Sequence, residues 1–141
     1  QTGKNFGDRG VVAAKGKKGI VVTQFITDMS VAYAAASLVV SRAGAGSISE
    51  LELLGKPCIL VPSPNVAEDH QTKNALALAN KNAAIMIADN EAREKLVGTV
   101  LSTVKDADRL NQMAQNVRQL ALENSDEKIV DHVLEIIHSK H

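Results

Sequence analysis

The stretch that decides the fold is 41-SRAGAGSISELELLGKP-57. It leaves an apolar run, 38-LVVS-41, passes glycines at 44 and 46, and enters a helical segment that stops at Gly55-Lys56-Pro57. A glycine just past the last helical residue suits the left-handed C-cap, and a proline two positions on cannot continue the helix. The next apolar run, 58-CILVP-62, begins at once. A strand, a helix over about 47–54 and a second strand, joined by short connections, predict the βαβ unit of a parallel sheet. The run 38–41 lacks polar alternation, the pattern of a strand covered on both faces.

Outward from this unit the same grammar repeats. Upstream, the β-branched run 19-GIVVTQF-25 predicts a strand, and Asp28 is placed to cap a short helix over 29–36. Residues 1–18, rich in glycine and lysine, read as an irregular lead-in. Downstream come a loop, 62-PSPNVAED-69, and a helix over 69–81 with Leu76, Ala77 and Leu78 on its apolar side. A strand, 83-AAIMIA-88, precedes helices over about 90–103, 106–123 and 126–138. Leu110, Met113, Val117, Leu120 and Ala121 recur at helical spacing in the second of these, and Ile129, Val133, Ile136 and Ile137 in the third, so those faces are core. The expected fold is α/β: one domain with a Rossmann-like parallel sheet flanked by helices.

Composition narrows the function classes. Of 141 residues 45% are apolar but only 2% aromatic, so the core is aliphatic and a base-stacking surface is excluded. Lys plus Arg equals Asp plus Glu at 16 each, which leaves no overall electrostatic footprint for nucleic acid or a membrane. The cluster 15-KGKK-18 reads as a solvated loop. The single cysteine, Cys58, sits in an apolar run, so a disulfide framework is excluded and a reducing compartment fits. No apolar run reaches the length of a membrane span. No His/Cys cluster is present, and neither a metal nor a cofactor is expected.

Ligands of open parallel sheets bind beyond the carboxyl ends of the strands. Gly44-Ala45-Gly46-Ser47 lies there, ahead of a helix N-terminus, where glycines let backbone N–H groups approach a diphosphate and the helix dipole favours its charge. The loop is neither a Walker A motif nor a G-x-G-x-x-G fingerprint. Ser47-x-x-Glu50 also matches a capping box, with Ser47 as N-cap. Glu50 therefore has two readings, a capping residue or an acceptor for ribose hydroxyls. A second polar cluster, 68-EDHQTKN-74, opens another helix; Gln71 and Asn74 share a face, and their amides suit sugar hydroxyls. His70 reads as a solvated cap residue, and Glu68 and Asp69 as counter-charges to the helix dipole.

Taken together, 25-FITDM-29, 41-SRAGAGSISE-50, 56-KPCILVPSPNVAEDHQTKNA-75 and 83-AAIMI-87 resemble the carboxyl-terminal domain of glycosyltransferase family 28, whose N-acetylglucosaminyltransferases make lipid II for bacterial peptidoglycan. The resemblance covers essentially the whole chain and is strongest over 19–88. It implies the donor-binding half of a two-domain GT-B fold. It also implies transfer of N-acetylglucosamine from UDP-N-acetylglucosamine to the C4 hydroxyl of a lipid-linked N-acetylmuramyl-pentapeptide, by a cytoplasmic enzyme peripheral to the inner face of the membrane. On this resemblance Ile26 contacts uracil through its backbone, and Ala45, Gly46 and Ser47 offer N–H groups to the sugar and diphosphate. Glu50 holds the ribose, while Gln71 and Asn74 read the N-acetylglucosamine hydroxyls. Some members carry Gln at the position of His70, so no role passes to it. The family's other glycine-rich loop would precede Gln1, and its general base belongs to the amino-terminal domain. With an opening of Gln1-Thr2-Gly3-Lys4, the expectation is a fragment truncated at its N-terminus and inactive alone. The remaining alternatives are a related GT-B enzyme, such as a diacylglycerol glycosyltransferase or a UDP-N-acetylglucosamine epimerase, and a nucleotide-sugar binding module without chemistry.

Overall fold

The computed structural model describes residues 1–64 and 69–121. The helix expected over 126–138, with its apolar face, lies outside the described residues, as does Glu68. The chain divides into two compact units, Gln1–Ala36 and a second that starts at Ser37.

In the first unit the irregular lead-in is corrected: Gly3–Ala14 is a helix, α1. Its glycines are sites of close approach. A Cβ on Gly7 would lie 2.9 Å from the Gln24 side chain, and one on Gly10 would lie 3.0 Å from Val22. The strand expected over 19–25 does not form. Its backbone turns to the start of α1 instead, where the Thr2 N–H donates to the Thr23 carbonyl and the Gly3 N–H to that of Gln24, both at 2.9 Å. A second helix, α2, runs Met29–Ala35, and the Asp28 carboxylate caps it by accepting from the Val31 N–H at 3.2 Å. The Ser30 hydroxyl, then the Val31 N–H, hold that carboxyl below its usual pKa.

The second unit carries the expected α/β pattern. Its elements are β1 (Val39–Ser41), α3 (Ala45–Leu54), β2 (Cys58–Leu60), α4 (His70–Ala79), β3 (Ala84–Met86) and α5 (Asp89–Val104), followed by a helix, α6, over 107–121. The sheet is parallel, in the order β1-β2-β3, with Val39 opposite Cys58 and Cys58 opposite Ala84. Gly55 ends α3 at φ 60°, the left-handed cap expected of it.

Burial follows position in the sheet. Central β2 is buried throughout, whereas Val40 on β1 is 44% exposed, which corrects the expectation of two covered faces for the run 38–41. Ile59, Val61 and Ile87 form a core cluster against which Ala92, Leu96 and Val100 of α5 pack. Burying one such side chain contributes roughly 1.5–3 kcal/mol. On α4 the buried residues are Ala75 and Leu78, while Leu76 is 39% exposed, which corrects the face assigned to that helix. Met113, Val117 and Leu120 on α6 are buried as their spacing predicts. Among the described residues no helix is long and apolar enough to cross a membrane.

Candidate functional site

Parallel strands deliver their outgoing loops to one edge. Here the loops after β1, β2 and β3 meet at the carboxyl edge, and α3, α4 and α5 start there.

The helix α3 begins two residues earlier than its sequence suggests. Gly44, at φ −68° and ψ 147°, is the N-cap, and its carbonyl accepts from the Ile48 N–H at 3.0 Å. Ser47 is thus the third residue of the helix rather than its cap, and the capping box does not form. Helix geometry leaves the N–H groups of Ala45, Gly46 and Ser47 with no intrahelical acceptor, and among the described residues no side-chain cap is seen at the N-cap Gly44. These are the three residues expected to meet a diphosphate. Glu50 lies four residues after Gly46, hence on the same helix face, and is exposed.

The two loop glycines are not demanded by the fold. Neither has a positive φ, and a Cβ on either would meet none of the described residues within 4 Å. At Gly44 and Gly46 the backbone is instead bare towards open space, which is what close approach by a ligand requires.

Gln71 and Asn74, on the first two turns of α4, reach this loop. The Gln71 Oε1 accepts from the Ala43 N–H at 3.2 Å and from the Ser63 N–H at 2.9 Å. The Asn74 Nδ2 donates to the Ala43 carbonyl at 3.2 Å. Ala43 is fully buried, so both halves of its peptide chemistry are satisfied by α4 side chains. The structure therefore ties Gln71 and Asn74 on α4 to Ala43, two residues before Ala45, Gly46 and Ser47 at the start of α3, while Glu50 lies further along that helix. Ile26 belongs to the first unit, where its N–H donates to the Gln1 Oε1 at 3.0 Å. His70 is exposed at the first position of α4. Asp69 is the N-cap of α4 with a left-handed backbone at φ 54°, and its side chain makes no capping bond.

Sequence reasoning missed Arg42. Its Nη1 donates to the carbonyls of Val61 at 3.2 Å and Pro62 at 3.3 Å and pairs with the Asp89 carboxylate, so one cation joins the loops after β1 and β2 to the first turn of α5. The signal available was its place as the only charged residue between β1 and α3. A cavity of about 430 Å³ opens at this edge beside Pro62, Thr72, Met86 and Asp89; another, of about 440 Å³, lies at the opposite end of β3 beside Asn82, Arg109 and Met113. Cys58 is buried, and burial first, then Glu52, push its thiol up to about 12.

The chain matches the family model "Glycosyltransferase family 28 C-terminal domain" over residues 1–133. It is 54% identical over 142 residues to the UDP-N-acetylglucosamine--N-acetylmuramyl-(pentapeptide) pyrophosphoryl-undecaprenol N-acetylglucosamine transferase of Parabacteroides distasonis, covering 99% of this chain and 39% of that protein. The protein of the same name from Cytophaga hutchinsonii is 56% identical over 120 residues, covering 85% of this chain and 32% of its own length. The chain therefore spans less than two fifths of these relatives. Among solved structures, the crystal structure of Acinetobacter baumannii MurG superimposes with a TM-score of 0.73 at 30% identity, over 83% of this chain and 35% of that one.

Proposed function

We propose that this chain, which belongs to the glycosyltransferase family 28 C-terminal domain family, supplies the sugar-nucleotide site of an inverting N-acetylglucosaminyltransferase. The donor is UDP-N-acetylglucosamine, and the acceptor is a lipid-linked N-acetylmuramyl-pentapeptide bound by a separate domain at the inner face of the membrane. The observation that carries this reading is the uncapped start of α3, with the N–H groups of Ala45, Gly46 and Ser47 beside two sterically open glycines. The names of the relatives support the choice of donor and acceptor.

The chemistry is a single displacement. The acceptor C4 oxygen forms a bond to C1 of N-acetylglucosamine as the bond from C1 to the diphosphate oxygen breaks, which inverts C1. The hydroxyl proton passes to a base on the acceptor side, and UDP leaves with the electron pair. Charge grows on the diphosphate as it departs, and the three N–H groups and the α3 dipole are already aimed where it grows. Glu50 accepts from the ribose hydroxyls, and Gln71 and Asn74 face the sugar.

Calorimetric titration of the chain with UDP-N-acetylglucosamine tests the reading, with its C4 epimer UDP-N-acetylgalactosamine as control. Binding is expected, with a preference for the first ligand. Glu50→Ala should weaken it by about 1.5–3 kcal/mol, the worth of a charge-assisted hydrogen bond. Absence of binding by the folded chain would overturn the donor-site reading. Equal binding of the two epimers would overturn only the sugar-reading role of Gln71 and Asn74.

A further inference from the structure

We propose that Gln71 and Asn74 are positioning residues for the diphosphate cradle as well as sugar contacts, so that the start of α4 sets the aim of the start of α3. The proposal rests on the donor-site reading above and assigns a second job to two of its residues.

The geometry fixes which way both amides point. Two backbone N–H groups, of Ala43 and Ser63, converge on the Gln71 Oε1, and only the oxygen of an amide can accept them. The Ala43 carbonyl likewise requires the nitrogen of Asn74, whose Nδ2 lies 3.2 Å from it. Neither amide can flip without setting donor against donor or acceptor against acceptor. Towards a ligand, Gln71 is left to present N–H donors and Asn74 its acceptor oxygen, a complementary pair for one hydroxyl-bearing ring.

The same bonds hold the cradle. Ala43 immediately precedes the N-cap Gly44, and its N–H and carbonyl are both bonded to α4 side chains. It is fully buried, so water cannot replace a lost partner without a local rearrangement. Gly44 is free in φ and ψ and offers no resistance of its own. Removing either amide therefore lets the Ala43–Gly44 segment relax, and the N–H groups of Ala45, Gly46 and Ser47 lose their common direction. A residue that only read the N-acetylglucosamine would leave the binding of UDP, which lacks that group, untouched.

The decisive experiment measures UDP and UDP-N-acetylglucosamine affinity for the wild-type chain, Gln71→Met and Asn74→Ala, with amide hydrogen exchange on each and on Gln71→Glu. Both variants are expected to bind UDP itself about tenfold more weakly, the loss of one or two neutral hydrogen bonds. Exchange at the Ala43 and Ser63 N–H groups should quicken in Gln71→Met, stay slow in Gln71→Glu, which keeps an acceptor oxygen, and be unchanged in β2. Unchanged UDP affinity alongside weakened UDP-N-acetylglucosamine binding would overturn the positioning role and leave the donor site standing. A wild-type chain that binds neither ligand would overturn both. Should a variant unfold, the Gln71→Glu exchange pattern decides, since loss of protection there contradicts the proposal.

Discussion

Arg42 and Asp89 form an ion pair across 47 residues of sequence, joining the loop after β1 to the first turn of α5. The same guanidinium nitrogen donates to the Val61 and Pro62 carbonyls of the loop between them. The two side chains are 55% and 37% exposed, so the ion pair alone is worth only about 0–1 kcal/mol. The carbonyl bonds add to it. Urea denaturation should show Asp89→Ala costing about 0.5–1 kcal/mol and Arg42→Ala about 1–2 kcal/mol. Equal costs would mean that the two carbonyl bonds contribute nothing.

Gly46→Ala separates folding from binding. A Cβ there meets none of the described residues within 4 Å, and the site is helical, so alanine should stabilise the chain by roughly 0.5 kcal/mol. The added methyl projects into the space where a diphosphate would approach, so UDP affinity should fall about tenfold, a cost on the order of 1.4 kcal/mol. Thermal unfolding and calorimetry on the same sample check the two signs. Unchanged affinity would place the ligand away from Gly46.

Gly55→Ala acts on the fold alone. At φ 60° a side chain is strained, and a Cβ would lie 2.2 Å from the Arg118 Nε and 2.5 Å from its Cγ. A destabilisation of about 1–2 kcal/mol is expected for a left-handed alanine that must also displace a neighbour. UDP affinity, measured below the unfolding range, should stay within twofold of wild type (about 0.4 kcal/mol).

What could be read from the sequence was local. The βαβ unit around residues 38–62 is written in adjacent signals: β-branched runs, Gly55 as a cap and Pro57 as a stop. That a helix begins just past Gly44 was legible because glycines follow an apolar strand run there. Ser47 was misplaced as the cap because its hydroxyl competes on paper with Gly44, whose extended backbone lets the helix begin sooner. The β-branched run 19–25 failed as a strand because its backbone partners are Thr2 and Gly3 at a helix start, a pairing that no local pattern announces. Gln71 binds Ala43 over 28 residues and Arg42 meets Asp89 over 47; such contacts exist only once the sheet has brought the loops together.

Cys58 should be silent to alkylation at pH 8 in the folded chain and react only on unfolding, because its pKa is raised to about 12. The linkage runs towards alkaline loss. The folded state keeps the proton that the unfolded thiol releases above about pH 9, so this contribution to stability is complete below that pH and declines between about 9 and 12. Cys58→Ala should flatten that part of the stability–pH curve. A reactive thiol at pH 8 without unfolding would contradict the buried placement.

The central claim is that the start of α3 cradles a diphosphate, and backbone amide NMR reads those atoms directly. On titration of the ¹⁵N-labelled chain with UDP, the largest shifts are expected at Ala45, Gly46 and Ser47, with smaller ones at Ala43 and Ser63. Shifts centred instead on Asn82, Arg109 and Met113, around the cavity at the other end of β3, would contradict it.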